Sequence, residues 1–101
     1  MSAARFVSAA RLEYLAEIVY YSNLQPDLGR RFAAAVEEAT ARALAFPASG
    51  SPSHGRTRAL ILKDFPFSLI YREEPDGIVV FAVAAHTRRP NYWQRRVDSD
   101  G

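Results

Sequence analysis

The sequence predicts an α+β fold, with an N-terminal helical hairpin packed on a small, mainly antiparallel β-sheet and a short C-terminal helix. Three observations predict it. Up to Phe46, apolar residues recur every three or four positions, as one face of a helix requires. After Thr57 the period shortens to runs rich in Leu, Ile, Val, Phe and Tyr. Finally, Asp64-Phe-Pro66 and the Asp76-Gly77 step separate those runs by turns too short for anything but antiparallel neighbours. Helices first and strands afterwards give a layered arrangement with the hairpin on one sheet face.

Taken in order, Ala4–Val7 suits an edge strand, and Ser8 is read as the N-cap of the first helix. Leu12, Leu15, Ile18 and Val19 form that helix's apolar stripe, with Glu13 and Glu17 outside it, and the helix should end near Ser22-Asn23. Pro26 sits where a second helix starts, because its missing N–H costs nothing there, and Asp27 complements the positive helix end. Leu28, Phe32, Val36, Ala39, Ala43 and Phe46 continue it. Gly29 within this helix should cost about 1 kcal/mol relative to Ala, which a close approach of the two helices would explain.

Pro47–Thr57, with two Pro, two Gly and three Ser, reads as a loop between layers. Three strands follow at Arg58–Lys63, Phe67–Arg72 and Gly77–Ala85. The last is apolar on both faces, as befits a central strand covered on both sides. Pro90 is expected to open a final helix carrying Tyr92, Trp93, Arg95 and Arg96.

The chain has 101 residues, the length of one domain spanning 1–101, and 49% of them are hydrophobic, enough for one core. Without cysteine it can form neither disulfides nor thiolate metal sites. No His or carboxylate cluster has metal-ligand spacing and no Gly-rich phosphate loop occurs, so no metal and no cofactor is expected. There is no secretory signal of the usual kind and no apolar run long enough for a membrane span, so a cytoplasmic protein with no membrane partner is expected. The net charge of +2 conceals an asymmetry. Residues 1–51 balance five Arg against five acids, whereas Gly77–Val97 holds Arg88, Arg89, Arg95 and Arg96 and no acid. Such a cluster attracts phosphate or an acidic partner.

The chemistry-bearing residues concentrate around that cluster. His86 follows the central strand and titrates near neutrality. Arg88, Arg89 and Tyr92 lie close behind it. A symmetric hairpin about Phe65 would also place Arg58 opposite Arg72, where an anion would offset their repulsion. A base, cations and an aromatic hydroxyl are what RNA cleavage by 2′-oxygen attack requires. Trp93 is read as the anchor of the last helix, and His54 as a solvated loop residue. Tyr14, Tyr20 and Tyr21 on the first helix suit packing or partner contact.

The order of elements and several motifs resemble one known family. Leu15–Ile18–Tyr21, Pro26-x-Leu28-Gly29-x-x-Phe32, Phe46-Pro47, Phe65-Pro-Phe-x-Leu-Ile-Tyr-Arg72 and His86-x-Arg-Arg-Pro-x-Tyr-Trp93, spread from Phe6 to Arg96, resemble the RelE/ParE superfamily of toxins, also called plasmid stabilisation proteins. The resemblance implies the toxin of a type II toxin–antitoxin pair, held as a hetero-oligomer by an antitoxin from an adjacent gene whose C-terminal segment wraps it. RelE-like members cut mRNA at the ribosome without a metal, and ParE-like members inhibit DNA gyrase without nuclease activity. Arg58, Arg72, His86, Arg88 and Tyr92 look like the cleaving set, with Lys63, Arg89, Arg95 and Arg96 as target-binding cations and Tyr14 and Tyr21 as antitoxin contacts. This gives a slight preference for a ribosome-dependent mRNA endoribonuclease. Against it, Lys63 is the only lysine, whereas ribosome-dependent members present several. The alternatives are a gyrase inhibitor and a non-enzymatic module that binds RNA or an acidic protein.

Overall fold

The structure is a computed structural model and describes residues 3–100. Strand β1 (Ala3–Phe6) leads into helix α1 (Ser8–Leu24), which turns at Gln25 into α2 (Pro26–Ala45). Two single-turn helical segments, Pro47–Ser49 and His54–Arg56, flank a two-residue strand β2 (Ser51–Pro52). Strands β3 (Arg58–Ile61), β4 (Phe67–Glu74) and β5 (Gly77–Ala85) follow, and α3 (Gln94–Asp100) closes the described chain. The sheet order is β1-β5-β4-β3-β2, antiparallel throughout except for the parallel β1–β5 pair.

The α+β architecture is as the residue pattern predicts, and β5 is the central strand. Several local expectations are corrected. The residue before α1 is Val7, and it makes no side-chain cap, so Ser8 is the first helical residue and not the N-cap. The segment expected to be a loop contributes β2 to the sheet edge, and β3 stops at Ile61. The last helix starts at Gln94 and not at Pro90. Asn91 has φ 58°, a left-handed conformation that helix cannot continue through, so Tyr92 and Trp93 lie in the turn before it.

The larger correction concerns α1. Of the predicted stripe only Ile18 packs on the core, together with Ala10, Tyr14 and Tyr21. Leu12, Leu15 and Val19 face outward, Leu12 being 68% and Val19 59% exposed. The reason is that α1 is apolar nearly all round, and aromatic rings outcompete leucines for the inner face. Tyr21, Phe32, Phe65 and Phe67 form one cluster with centroids 5.0–6.2 Å apart. Gly29 is buried where the helices meet; a Cβ there would lie 1.8 Å from Ser22 Oγ and 2.9 Å from the Ile18 carbonyl oxygen. The close approach therefore requires glycine.

A bulge divides β5. Ile70 pairs with Ala82 and Tyr71 with Val80, so Phe81 has no partner and the alternation reverses there. Ile78, Val80 and Val83 consequently point to the helical hairpin, while Val79, Phe81, Ala82 and Ala84 point to the other face. On that second face they meet Ile70, Trp93 and Val97. The sheet thus carries a core on each side, and Trp93 is an anchor as expected.

Candidate functional site

The chain leaves the sheet at Ala85. His86 N–H donates to the Pro66 carbonyl (2.9 Å) and Arg88 N–H to the Ala85 carbonyl (3.0 Å), fixing the turn after β5. His86 Nε2 lies 2.8 Å from Ser68 Oγ. Both the imidazole and the guanidinium groups of Arg88 and Arg89 are exposed. A shallow cavity of about 240 Å³ opens here, floored by Ala59, Ile70 and Ala84 and rimmed by Ser68, His86 and Arg88.

Tyr92 lines the same cavity, and its hydroxyl is engaged with α1, donating to Glu13 Oε2. Arg96 grips the same carboxylate with both terminal nitrogens, at 2.8 and 2.9 Å. Arg96 also donates to the Phe81 carbonyl (3.0 Å), and Val83 N–H donates to Glu13 (3.2 Å). These contacts have a structural logic. β1 runs beside β5 only as far as Val80, whose carbonyl takes the Val7 N–H. Beyond that point β5 would present unpaired backbone groups, which are costly to bury. The Glu13–Arg96 pair supplies the acceptor and donor that a neighbouring strand would. Burial first, and then the Glu13 hydrogen bond, push the Tyr92 hydroxyl well above the ordinary tyrosine value, so it stays protonated. Arg88 stacks on the Tyr92 ring at 3.9 Å.

Arg58 and Arg72 are elsewhere. Arg58 lies opposite Tyr71 and not opposite Arg72, which pairs with Val79; the hairpin is not symmetric about Phe65. Arg58 donates from Nη1 to the Gly50 carbonyl (2.8 Å), and Arg72 from Nη2 to Asp100 (3.1 Å), while its guanidinium lies 5.0 Å from the Phe81 ring centroid. The two side chains do line one cleft, joined by Arg56. Along β4–β5, Arg72 is level with Val79 and His86 lies beyond Ala85. Six residues of extended strand, roughly 20 Å, separate the two groups. The structure therefore brings His86, Arg88 and Tyr92 to one end of the sheet and Arg58 and Arg72 to the other.

Of the remaining candidates, Lys63, Arg89 and Arg95 are exposed, while Arg96 is committed to Glu13. Tyr14 and Tyr21 turn inward, Tyr14 donating to the Ala33 carbonyl (3.4 Å), so the outer surface of α1 is formed by other residues. His54 is not simply solvated: it lies 3.4 Å from Asp98 and beside the Trp93 ring. Sequence reasoning missed Glu13, Ser68 and Arg56. Glu13 joins residues 79 and 83 positions away, and no local pattern signals such a pairing. Among the described residues, no group of His, Cys, Asp or Glu could hold a metal ion, and no helix is long and apolar enough to cross a membrane.

A family profile described as the ParE toxin of the type II toxin–antitoxin system parDE matches residues 5–90. The chain belongs to the ParE toxin family. It is therefore the toxin component of a type II toxin–antitoxin system, and an antitoxin is its partner. The fold agrees with that of a solved structure from the chromosomal ParDE toxin–antitoxin system of P. aeruginosa. The TM-score is 0.71 at 21% identity, over 84% of this chain and 96% of the other. Among curated protein sequences none matches this chain significantly.

Proposed function

We propose that this ParE toxin arrests growth by binding DNA gyrase, without cleaving RNA, and that its antitoxin covers the outer face of α1. One observation carries the first part. The residues that would have to act on a single phosphate in RNA cleavage stand at opposite ends of the sheet, roughly 20 Å apart. Proton transfer needs hydrogen-bond reach. The Tyr92 hydroxyl is committed to Glu13 and holds its proton too tightly to act as a base. The slight preference for mRNA cleavage that the residues suggest thus loses its geometric basis, whereas inhibition by binding needs only a surface. Arg88, Arg89 and Arg95 present such a surface, exposed and basic.

The second part rests on the outward residues Leu12, Leu15, Val19, Tyr20 and Leu24, each about half exposed or more. Leu12, Leu15 and Val19, three and four residues apart, share one stripe of the helix and give an exposed apolar surface of the kind that marks a protein interface, and the family supplies the partner.

Induced expression should halt growth with double-strand DNA breaks and an SOS response, relieved by co-expressing the neighbouring antitoxin. New mRNA ends that disappear in His86→Ala would instead sink the gyrase reading. That second reading retains one supporting feature, the exposed His86–Ser68 pair beside Arg88. A growth-neutral, folded protein would count against both.

A further inference from the structure

We propose that the cleft at the end of the sheet lined by Arg56, Arg58 and Arg72 is a binding site for a phosphate dianion: inorganic phosphate or the terminal phosphate of a monoester. The cleft exists because β4 outruns β3. Arg58, the first residue of β3, pairs with Tyr71, so Arg72 and Glu73 continue with no strand beside them on that side. Pro47 and Arg56, from the segment joining α2 to β3, wall the notch, which measures about 350 Å³.

Three guanidinium groups line this space against the Glu73 carboxylate, and Asp100 pairs with Arg72, leaving a net excess of one positive charge. That excess attracts a phosphate group, and a terminal phosphate, with three free oxygens, can accept from more of these guanidinium donors than a phosphodiester with two. The donors are available. Arg58 uses only Nη1 in its bonds to Gly50 and Ala48, and Arg72 only Nη2 in its bond to Asp100, so each retains further N–H groups. Arg56 makes no ion pair among the described residues. It is nevertheless held at φ 61°, a left-handed conformation that residues with a Cβ adopt only against a steric penalty. Backbone strain of this kind concentrates where a side chain must be presented to a ligand. The guanidinium fork then suits tetrahedral oxygens, which accept paired hydrogen bonds.

This site lies at the far end of the sheet from His86 and does not depend on whether gyrase or RNA is the target. Its test is a titration of the full chain with inorganic phosphate, followed by amide and guanidinium NMR shifts. Saturable shifts confined to Arg56, Arg58, Arg72 and their neighbours are expected. Arg56→Gln, at an exposed position that spares the fold, should weaken binding about tenfold, the loss expected for one charge-assisted contact. Arg30→Gln removes the same charge near the opposite end of α2 and should change nothing. Competition with a nucleoside monophosphate, and with 5′-phosphorylated against 5′-hydroxyl oligonucleotides, identifies the source. Equal competition by nucleotide and phosphorylated strand means that the phosphate group alone is recognised. Tighter binding of the phosphorylated strand means that a nucleic-acid end is. Absence of saturable binding at millimolar phosphate, or binding indifferent to Arg56→Gln, overturns the proposal.

Discussion

The two faces of the sheet are covered by different physics. On one, the hairpin of α1 and α2 buries Phe32, Val36, Ala39 and Ala43 against Phe67, Leu69, Tyr71, Val80 and Val83, a continuous apolar layer knit by aromatic edges. On the other, a seven-residue helix brings Val97 and the turn before it Trp93, and the position of the segment is fixed largely by charge. Arg96 grips Glu13, Arg72 reaches Asp100, and His54 approaches Asp98. The first face gains stability from area and loses it only with the whole fold. The second depends on a few polar contacts, so it can come loose while the rest stays folded. That difference matters because the basic segment carrying Arg88 and Arg89 is tethered through the second face.

Several substitutions would break or sharpen the contrast. Phe32→Ala removes the centre of the aromatic cluster and should cost about 3–5 kcal/mol in denaturant unfolding. Trp93→Ala should register mainly as faster amide exchange in residues 90–100, with a smaller global loss; an equal global loss would mean that the two faces unfold as one unit. Glu13→Ala strands Arg96 and the Tyr92 hydroxyl in a half-buried site, and should cost about 2–3 kcal/mol while changing Trp93 fluorescence. Gly29→Ala forces α1 and α2 apart and should cost about 1–3 kcal/mol. Adding Ser22→Ala should restore only part of that loss, since the Ile18 carbonyl still obstructs the methyl group.

Alkaline pH weighs most on the second face, although burial also raises the Tyr14 and Tyr21 hydroxyls on the first. Tyr92's hydroxyl is raised above its unfolded value of about 10, so its contribution is complete below that pH and is lost as pH rises through the higher folded value. Amide exchange in the C-terminal segment should therefore accelerate in strong alkali before that of the hairpin does. The smallest stability effect is expected for Leu15→Ser on the outer face of α1, within about 0.5 kcal/mol. The same substitution should nonetheless weaken rescue by the antitoxin in co-expression; unchanged rescue would place the antitoxin elsewhere.

Much of the fold was legible in the residues. Pro26 started α2, the β runs and their turns produced three antiparallel strands, and the doubly apolar Gly77–Ala85 became the central strand. The inner face of α1 was not legible. A helix apolar nearly all round has no preferred side until competing partners are present, and here Tyr14 and Tyr21 packed inward while Leu12 and Val19 were left outside. The candidate site was legible as a list of residues but not as an arrangement. His86, Arg88 and Tyr92 are neighbours in the chain, and the turn after β5 keeps them at one end of the sheet.

Local spacing alone thus determined the family motifs, the layer order and the concentration of positive charge in residues 86–96. Only the tertiary structure decided that Arg58 and Arg72 stand apart from that segment. The bulge at Phe81 set the β4–β5 register, and strand geometry converts six residues into roughly 20 Å. It also decided that Glu13 claims Tyr92 and Arg96, because the open edge of β5 leaves a buried N–H and C=O that some side chains had to satisfy.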